Sequence, residues 1–260
     1  MDIFAVIILG ALVGVVSAFL GIGGGALIVP ILPLFVPGLS QQQVIATSLA
    51  TILLVVTNNS IHFHRQKIIH WPVVFIMGPM TAATSYLAGQ WALTTSETVL
   101  KVIMSVVLFL MAVRTFFLVL EPVLEKAKLV LTLKAKLSFW GLVAGAISGV
   151  TGIGSGTIFG AVLLGYKVMP NNNLSPTSNA IMIFTTLSAA MAYAGDLSTF
   201  GQSWTFGEIH LDYVLILFLA AVASSWVARK YQTHMKERLR KTILGSLLLL
   251  LSVKVFISIF

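Results

Sequence analysis

The sequence predicts an all-α polytopic membrane protein made of two inverted repeats, each a glycine-broken helical hairpin followed by three transmembrane helices. Three observations predict it. Of 260 residues, 58% are hydrophobic and 9% charged, and the mean hydropathy is +1.00, whereas a soluble domain carries about 25% charged residues. So few charges cannot cover a globule, which makes lipid the expected solvent. Two glycine runs, Gly21-Ile22-Gly23-Gly24-Gly25 and Gly152-Ile153-Gly154-Ser155-Gly156, interrupt apolar segments. Finally, an ordered set of polar residues recurs between the two halves.

Taken in chain order, residues 3–36 are apolar but broken at 21–25, and the arm after the break is short, ending near Pro30 and Pro33. A spanning helix needs about 20 apolar residues, and shorter runs suggest re-entrant or buried segments. Spans are predicted approximately over 44–61, 71–93 and 98–120, completing a first repeat over 1–120. A basic linker over 121–136 follows. The second repeat, 137–260, opens with a broken hairpin over 137–168 and continues with spans over 179–195, 211–228 and 242–260. The start Met1-Asp2 has no basic n-region, and no A-x-A site follows Leu20, so no cleaved signal peptide is expected.

The repeat is carried by polar and small residues, which match by chance less readily than apolar ones. Gly14, Ser17, Gly21, Ile22, Gly23 and Gly25 align with Gly145, Ser148, Gly152, Ile153, Gly154 and Gly156 at one offset of 131. Thr47-Ser48 matches Thr177-Ser178 at offset 130. Ile69-His70, Ser85, Ala88, Glu97 and Lys101 match Ile209-His210, Ser225, Ala228, Glu237 and Lys241 at offset 140, the change falling where the second half inserts Ser198–Ser203.

Charge sets the orientation, because basic residues stay on the cytoplasmic side. Arg65 and Lys67 mark one link, Arg114, Lys126, Lys128, Lys134 and Lys136 another, and Arg229, Lys230, Lys236, Arg238, Arg240 and Lys241 a third. The links at 94–97 and 196–210 hold only acids: Glu97, Asp196 and Glu208. Corresponding links of the two halves then lie on opposite faces, which makes the repeats antiparallel. With Lys167, fourteen of sixteen basic residues lie inside, Lys101 and Lys254 lie near the outer face, and both termini are external.

Several function classes are excluded or disfavoured. There are no cysteines, which removes disulfides, thiol catalysis and zinc-thiolate sites. The net charge of +8 sits in short clusters between apolar segments, so it reads as topology-setting charge and not as a nucleic-acid patch. Neither glycine run ends in the Gly-Lys-Ser/Thr of a phosphate-binding loop. His62, His64, His70 and His210 fall at membrane edges without the i, i+4 spacing of a helical zinc site. No nucleophile–base pair emerges, so an enzyme is not expected, nor is a cofactor.

Irregular backbone at membrane depth is tolerated only where protein buries it or where it lines a cavity. A glycine run inside an apolar segment should end one half-helix and start another, leaving amides free at a helix N-terminus where the dipole favours an anion. The predicted binding residues are therefore Gly23, Gly24 and Gly25 from the first half, with Gly154, Ser155 and Gly156 from the second. Two such N-termini meeting near the midplane, one from each inverted repeat, is the arrangement expected of a secondary transporter. The alternative, close helix packing through small residues, suits Gly10, Gly14 and Ala18.

Hydroxyls and amides on the next segment can also donate to an oxyanion. Thr47 and Ser48 (with Thr51, Thr57, Asn58 and Asn59) lie in the first half, and Thr177, Ser178 and Asn179 (with Thr185 and Thr186) in the second. Each single hydroxyl can instead bond back to its own helix. No Asp or Glu lies deep in a span, although carboxylates are the usual intramembrane proton relays.

With both hairpins identified, the sequence resembles the TauE/SafE family of sulfite and organosulfonate exporters. The resemblance rests on Gly21-Ile-Gly-Gly-Gly-Ala-Leu-Ile-Val-Pro30, on Ala46-Thr47-Ser48-Leu49, and on the degenerate second copy Gly152-Ile-Gly-Ser-Gly156 with Thr177-Ser178. In the second copy Ser155 replaces a glycine, Ala161 stands in place of Pro30, and Asn179 in place of Leu49. The resemblance implies export of small sulfur-containing anions across a prokaryotic plasma (inner) membrane. The alternatives are a passive anion channel, or a permease for another small oxyanion or for uptake. The expected partners are the anionic substrate and the lipid bilayer, with no nucleic acid; a homo-oligomer is a further candidate assembly.

Overall fold

The computed structural model describes residues 3–20, 24–117, 130–195, 204–231 and 237–259. Gly21, Ile22, Gly23, Lys126, Lys128, Asp196, the Ser198–Ser203 insertion and Lys236 lie outside the described residues.

Among the described residues the first half forms α1 (Ile3–Leu20), α2 (Gly25–Phe35), α3 (Gln41–Arg65), α4 (Trp71–Leu93) and α5 (Glu97–Phe117). The second forms α6 (Leu131–Thr151), α7 (Gly156–Gly165), α8 (Asn171–Ala194), α9 (Leu211–Tyr231) and α10 (Glu237–Ile257). Every predicted apolar segment forms helix among its described residues, and each break separates a long arm from a short one of 11 or 10 residues. By length and composition α3, α5 and α9 are long and apolar enough to cross a membrane.

Several helices begin earlier than the apolar runs that announced them. α3 starts at Gln41, where Ser40 and Gln43 form a capping box: the Gln43 amide donates to Ser40 Oγ at 3.1 Å and the Ser40 amide to Gln43 Oε1 at 3.0 Å. α6, α8 and α10 begin at Leu131, Asn171 and Glu237, before the expected 137, 179 and 242. Their first turns are polar or mixed. Hydropathy locates the apolar middle of a helix, whereas hydrogen bonding and capping set its ends.

The one non-helical ladder among the described residues was not foreseen. Thr205–Phe206 (β1) and Ile209–His210 (β2) pair antiparallel across Gly207-Glu208, with Gly207 at φ 57. This hairpin leads directly into α9.

The helices pack chiefly across the two halves: α1 on α9, α4 on α6 and α8, α3 on α8, and α5 on α10. Glycine allows the closest approaches. A Cβ on Gly14 would overlap the Ala221 carbonyl of α9, and one on its repeat mate Gly145 would overlap Thr81 and Thr84 of α4. Gly10 likewise lies against Leu217 and Ala220. These are the small-residue packing contacts anticipated for Gly10 and Gly14; the side chain of Ala18 is not among those described.

The surface is inverted relative to a soluble protein. Leu131, Trp226 and Phe4 are 83%, 76% and 74% exposed, while Thr47, Ser48, Thr177 and Thr185 are at 0%. Exposed apolar side chains on this scale mark a surface made for lipid, and the polar groups turn inward. Trp71 and Trp91 sit at the two ends of α4, the positions of interfacial aromatic belts.

Candidate functional site

Each break ends one helix and starts another, but the two do so differently. In the second, α6 closes with Gly152 in the left-handed region (φ 67), its amide donating to the Ser148 carbonyl at 2.9 Å. Gly154 is also left-handed (φ 85), and Ser155 at φ −87 precedes α7. In the first, the residue before α2 is Gly24 at φ 78. A side chain is strained in that conformation, whereas Ser155 is not. The glycine-to-serine exchange between the copies therefore coincides with a change of backbone.

Neither short helix has a side-chain cap, in contrast to α3. The first backbone bond into α7 runs from Phe159 to the Ser155 carbonyl at 3.0 Å, so the amides of Gly156, Thr157 and Ile158 are outside the helical ladder. At α2 the ladder begins with Leu27 and Ile28 donating to Gly24, which leaves the amides of Gly25 and Ala26 outside it. Gly24, Gly25, Gly154, Ser155 and Gly156 are all buried. An uncapped, buried helix start presents oriented N–H donors and the positive end of a dipole.

The two breaks touch. A Cβ placed on Gly25 would lie 2.5 Å from the Ile153 carbonyl oxygen and 2.7 Å from that of Gly152. Ser48, from the middle of α3, donates to the same Gly152 carbonyl at 2.9 Å. The start of α2, the turn before α7 and the Thr-Ser pair of α3 thus converge, although 104 residues separate Ser48 from Gly152.

The other predicted residues divide by what holds them. Thr47 Oγ1 accepts from the His210 amide at 3.2 Å and Thr177 Oγ1 from the His70 amide at 3.1 Å. These two threonines pin the start of a helix in the opposite half. Asn179 bonds to the Ser175 carbonyl and lies 3.5 Å from Asn59. Thr51 and Thr186 bond back to the carbonyls of Thr47 and Met182, the local alternative for helical hydroxyls. Ser155 donates to Thr185 at 3.3 Å, which brings Thr185 to the second break.

Among the described residues the Ser178 hydroxyl finds no hydrogen-bond partner, and neither do the hydroxyls of Ser17 and Ser148, one turn before each break. A buried hydroxyl without a partner costs about 1–3 kcal/mol and requires an explanation. Ser17 and Ser148 were visible only as members of the repeat; nothing in composition singled them out. Among the described residues no cluster of three His, Cys, Asp or Glu side chains could hold a metal.

Comparison with known proteins agrees with this architecture. The family model described as Sulfite exporter TauE/SafE matches residues 6–255. A probable membrane transporter protein of Haemophilus influenzae is 27% identical over 95% of this chain and 92% of its own. One from Methanocaldococcus jannaschii is 24% identical over 93% of this chain and 91% of its own. No solved structure matches the chain significantly.

Proposed function

Because the chain belongs to the sulfite exporter TauE/SafE family, we propose that this membrane transporter exports small sulfur-containing anions, such as sulfite or organosulfonates, across a prokaryotic inner membrane. The substrate binds between two opposed half-helix N-termini, and the two halves are inverted repeats that rock about this site. The observation that carries the reading is the contact of the two breaks, each followed by an uncapped buried helix start. Backbone amides and neutral hydroxyls can hold a small anion without burying a cation in lipid.

A two-fold relationship between the halves is supported by matched contacts that exchange partners, and the charge distribution of the links favours its inverted form. Thr47 holds His210 while Thr177 holds His70. α1 packs on α9 while its mate α6 packs on α4. Both are what a two-fold axis between the halves would produce.

A passive channel is the second reading. Burial of every described residue assigned to the site favours the transporter, since a closed site needs a conformational step to load and release. The family's description as an exporter and the lack of a recognisable nucleophile–base pair in the sequence both argue against an enzyme.

The test is counterflow of labelled sulfite in proteoliposomes. Saturable exchange is expected of the wild type, and a current linear in concentration would identify a channel. Gly24 is a poor place to intervene, because its φ of 78 and its contact with Val13 make Gly24→Leu a folding variant first. Ser155 accepts a side chain. Ser155→Ala should raise the sulfite half-saturation about tenfold, as expected for one lost hydrogen bond to a charge. Ser155→Leu should stop exchange while the thermal midpoint still reports a folded protein. Unchanged exchange in Ser155→Leu sinks the proposal.

A further inference from the structure

A second cavity, of about 100 Å³, lies beside the short arm α2, bounded also by α3, α5 and α10. Its lining is unlike the lipid-facing surface. Lys101, Lys254, Gln41 and Glu97 all contribute. Lys254 donates to the Pro30 carbonyl of α2, and among the described residues no carboxylate pairs with it. An ammonium has three donors, so one acceptor leaves it under-used. Lys101 and Glu97 are 3.9 Å apart on a partly exposed side, a separation at which an exposed pair gains little. Gln41 is only 4% exposed, and among the described residues its side-chain amide reaches the thioether of Met104 at 3.7 Å.

We propose that this cavity binds a small oxyanion, held by the ammonium groups of Lys101 and Lys254 and by the Gln41 amide. Two cations against one carboxylate leave the lining net positive. Gln41 is the first residue of the 25-residue α3, where the helix dipole adds to the field. The volume corresponds to about three water molecules at roughly 30 Å³ each. That suits an ion of a few heavy atoms and excludes ligands needing the hundreds of Å³ typical of drug-sized sites.

The site is not a generic product of the repeat. Arg114 stands at the position matching Lys254, but it lines a larger cavity of about 570 Å³ whose other walls are mostly apolar, including Trp140 and Ile158. The polar lining, Gln41, Glu97 and Lys101 from the first half with Lys254 from the second, is not repeated around Arg114. As a station where an anion waits beside α2 on its way past the central site, the cavity rests on the transporter reading. As a binding site it stands on its own lining.

The experiment uses purified full-length protein in a non-ionic detergent, with thermal midpoint as readout. Sulfite and phosphate are titrated at ionic strength matched with chloride. In Ser155→Leu, where the central site is filled, both oxyanions should still raise the midpoint saturably. Adding Lys101→Gln or Gln41→Leu, neither of which touches the Pro30 contact, should raise the half-saturation about tenfold, as expected for a lost charge-assisted donor. If Ser155→Leu does not fold, the same two substitutions are compared in the wild-type background. A midpoint no different from that in chloride, or an oxyanion half-saturation left unchanged by Lys101→Gln and Gln41→Leu together, overturns the site. Stabilisation by phosphatidylglycerol in place of the free ions also overturns it and marks a lipid headgroup contact. A wild type that binds oxyanions here yet shows no sulfite counterflow keeps this site and removes the transporter reading.

Discussion

Ser48 and Ser178 occupy matched positions but stand in different chemical situations. Ser48 donates to the Gly152 carbonyl at 2.9 Å, where left-handed backbone has taken that carbonyl out of regular helix. Ser178 is 1% exposed and its hydroxyl has no partner among the described residues. Ser48→Ala should destabilise the protein by about 1–3 kcal/mol, because it leaves a buried acceptor unsatisfied. Ser178→Ala should cost little, because it deletes an unsatisfied hydroxyl. Urea or thermal unfolding in detergent reads both, and equal losses would contradict the asymmetry. The paired Thr-Ser motif was legible in the sequence; the division of labour within it was not. Each threonine anchors the opposite half, and a bond between Thr47 and His210, 163 residues apart, has no local signature.

At the scale of the element, glycine has two separate uses, and spacing alone does not distinguish them. On α1 and α6 it lets a neighbouring helix come close, as Gly145 does against Thr81 and Thr84. At the breaks it supplies left-handed backbone, as Gly152 does at φ 67. Gly160 in α7 does neither, since a Cβ there would meet nothing within 4 Å. Gly145→Ala should therefore destabilise by several kcal/mol through overpacking, at or beyond the usual ~1–3 kcal/mol. Gly160→Ala should be neutral, or stabilising by up to about 1 kcal/mol, through helix propensity. Thermal midpoints of the two variants check this, and a larger loss at Gly160 would show that α7 packs differently. The starts of the short arms were readable from the glycine runs; their ends were not set by proline, since α2 continues through Pro30 and Pro33 to Phe35 and α7 contains none.

For the whole molecule, the proposed inverted arrangement places the α3–α4 link and the α4–α5 link on opposite faces. The chain has no native cysteine, so single cysteines report sidedness directly. Ser96 and Gln66 are both exposed. Ser96→Cys should react with an impermeant thiol reagent added to intact cells, and Gln66→Cys should react only after the membrane is opened. The reverse pattern would overturn the orientation.

The sequence alone determined the class of solvent, the ten helical segments in outline and the two breaks. Each of these depends on residues close in the chain, or on composition, and needs no knowledge of what packs where. Tertiary structure alone decided that the two breaks touch, that Ser48 and Gly25 meet at the Gly152 carbonyl, and that Lys101, Lys254 and Gln41 line one cavity. It also moved the β1–β2 ladder and Thr47 into contact with the opposite half. Those outcomes depend on how two halves dock across more than a hundred residues. Hydropathy does not encode that docking, because in lipid an apolar face gains little by turning toward protein, and the deciding contacts are made by polar groups and small residues.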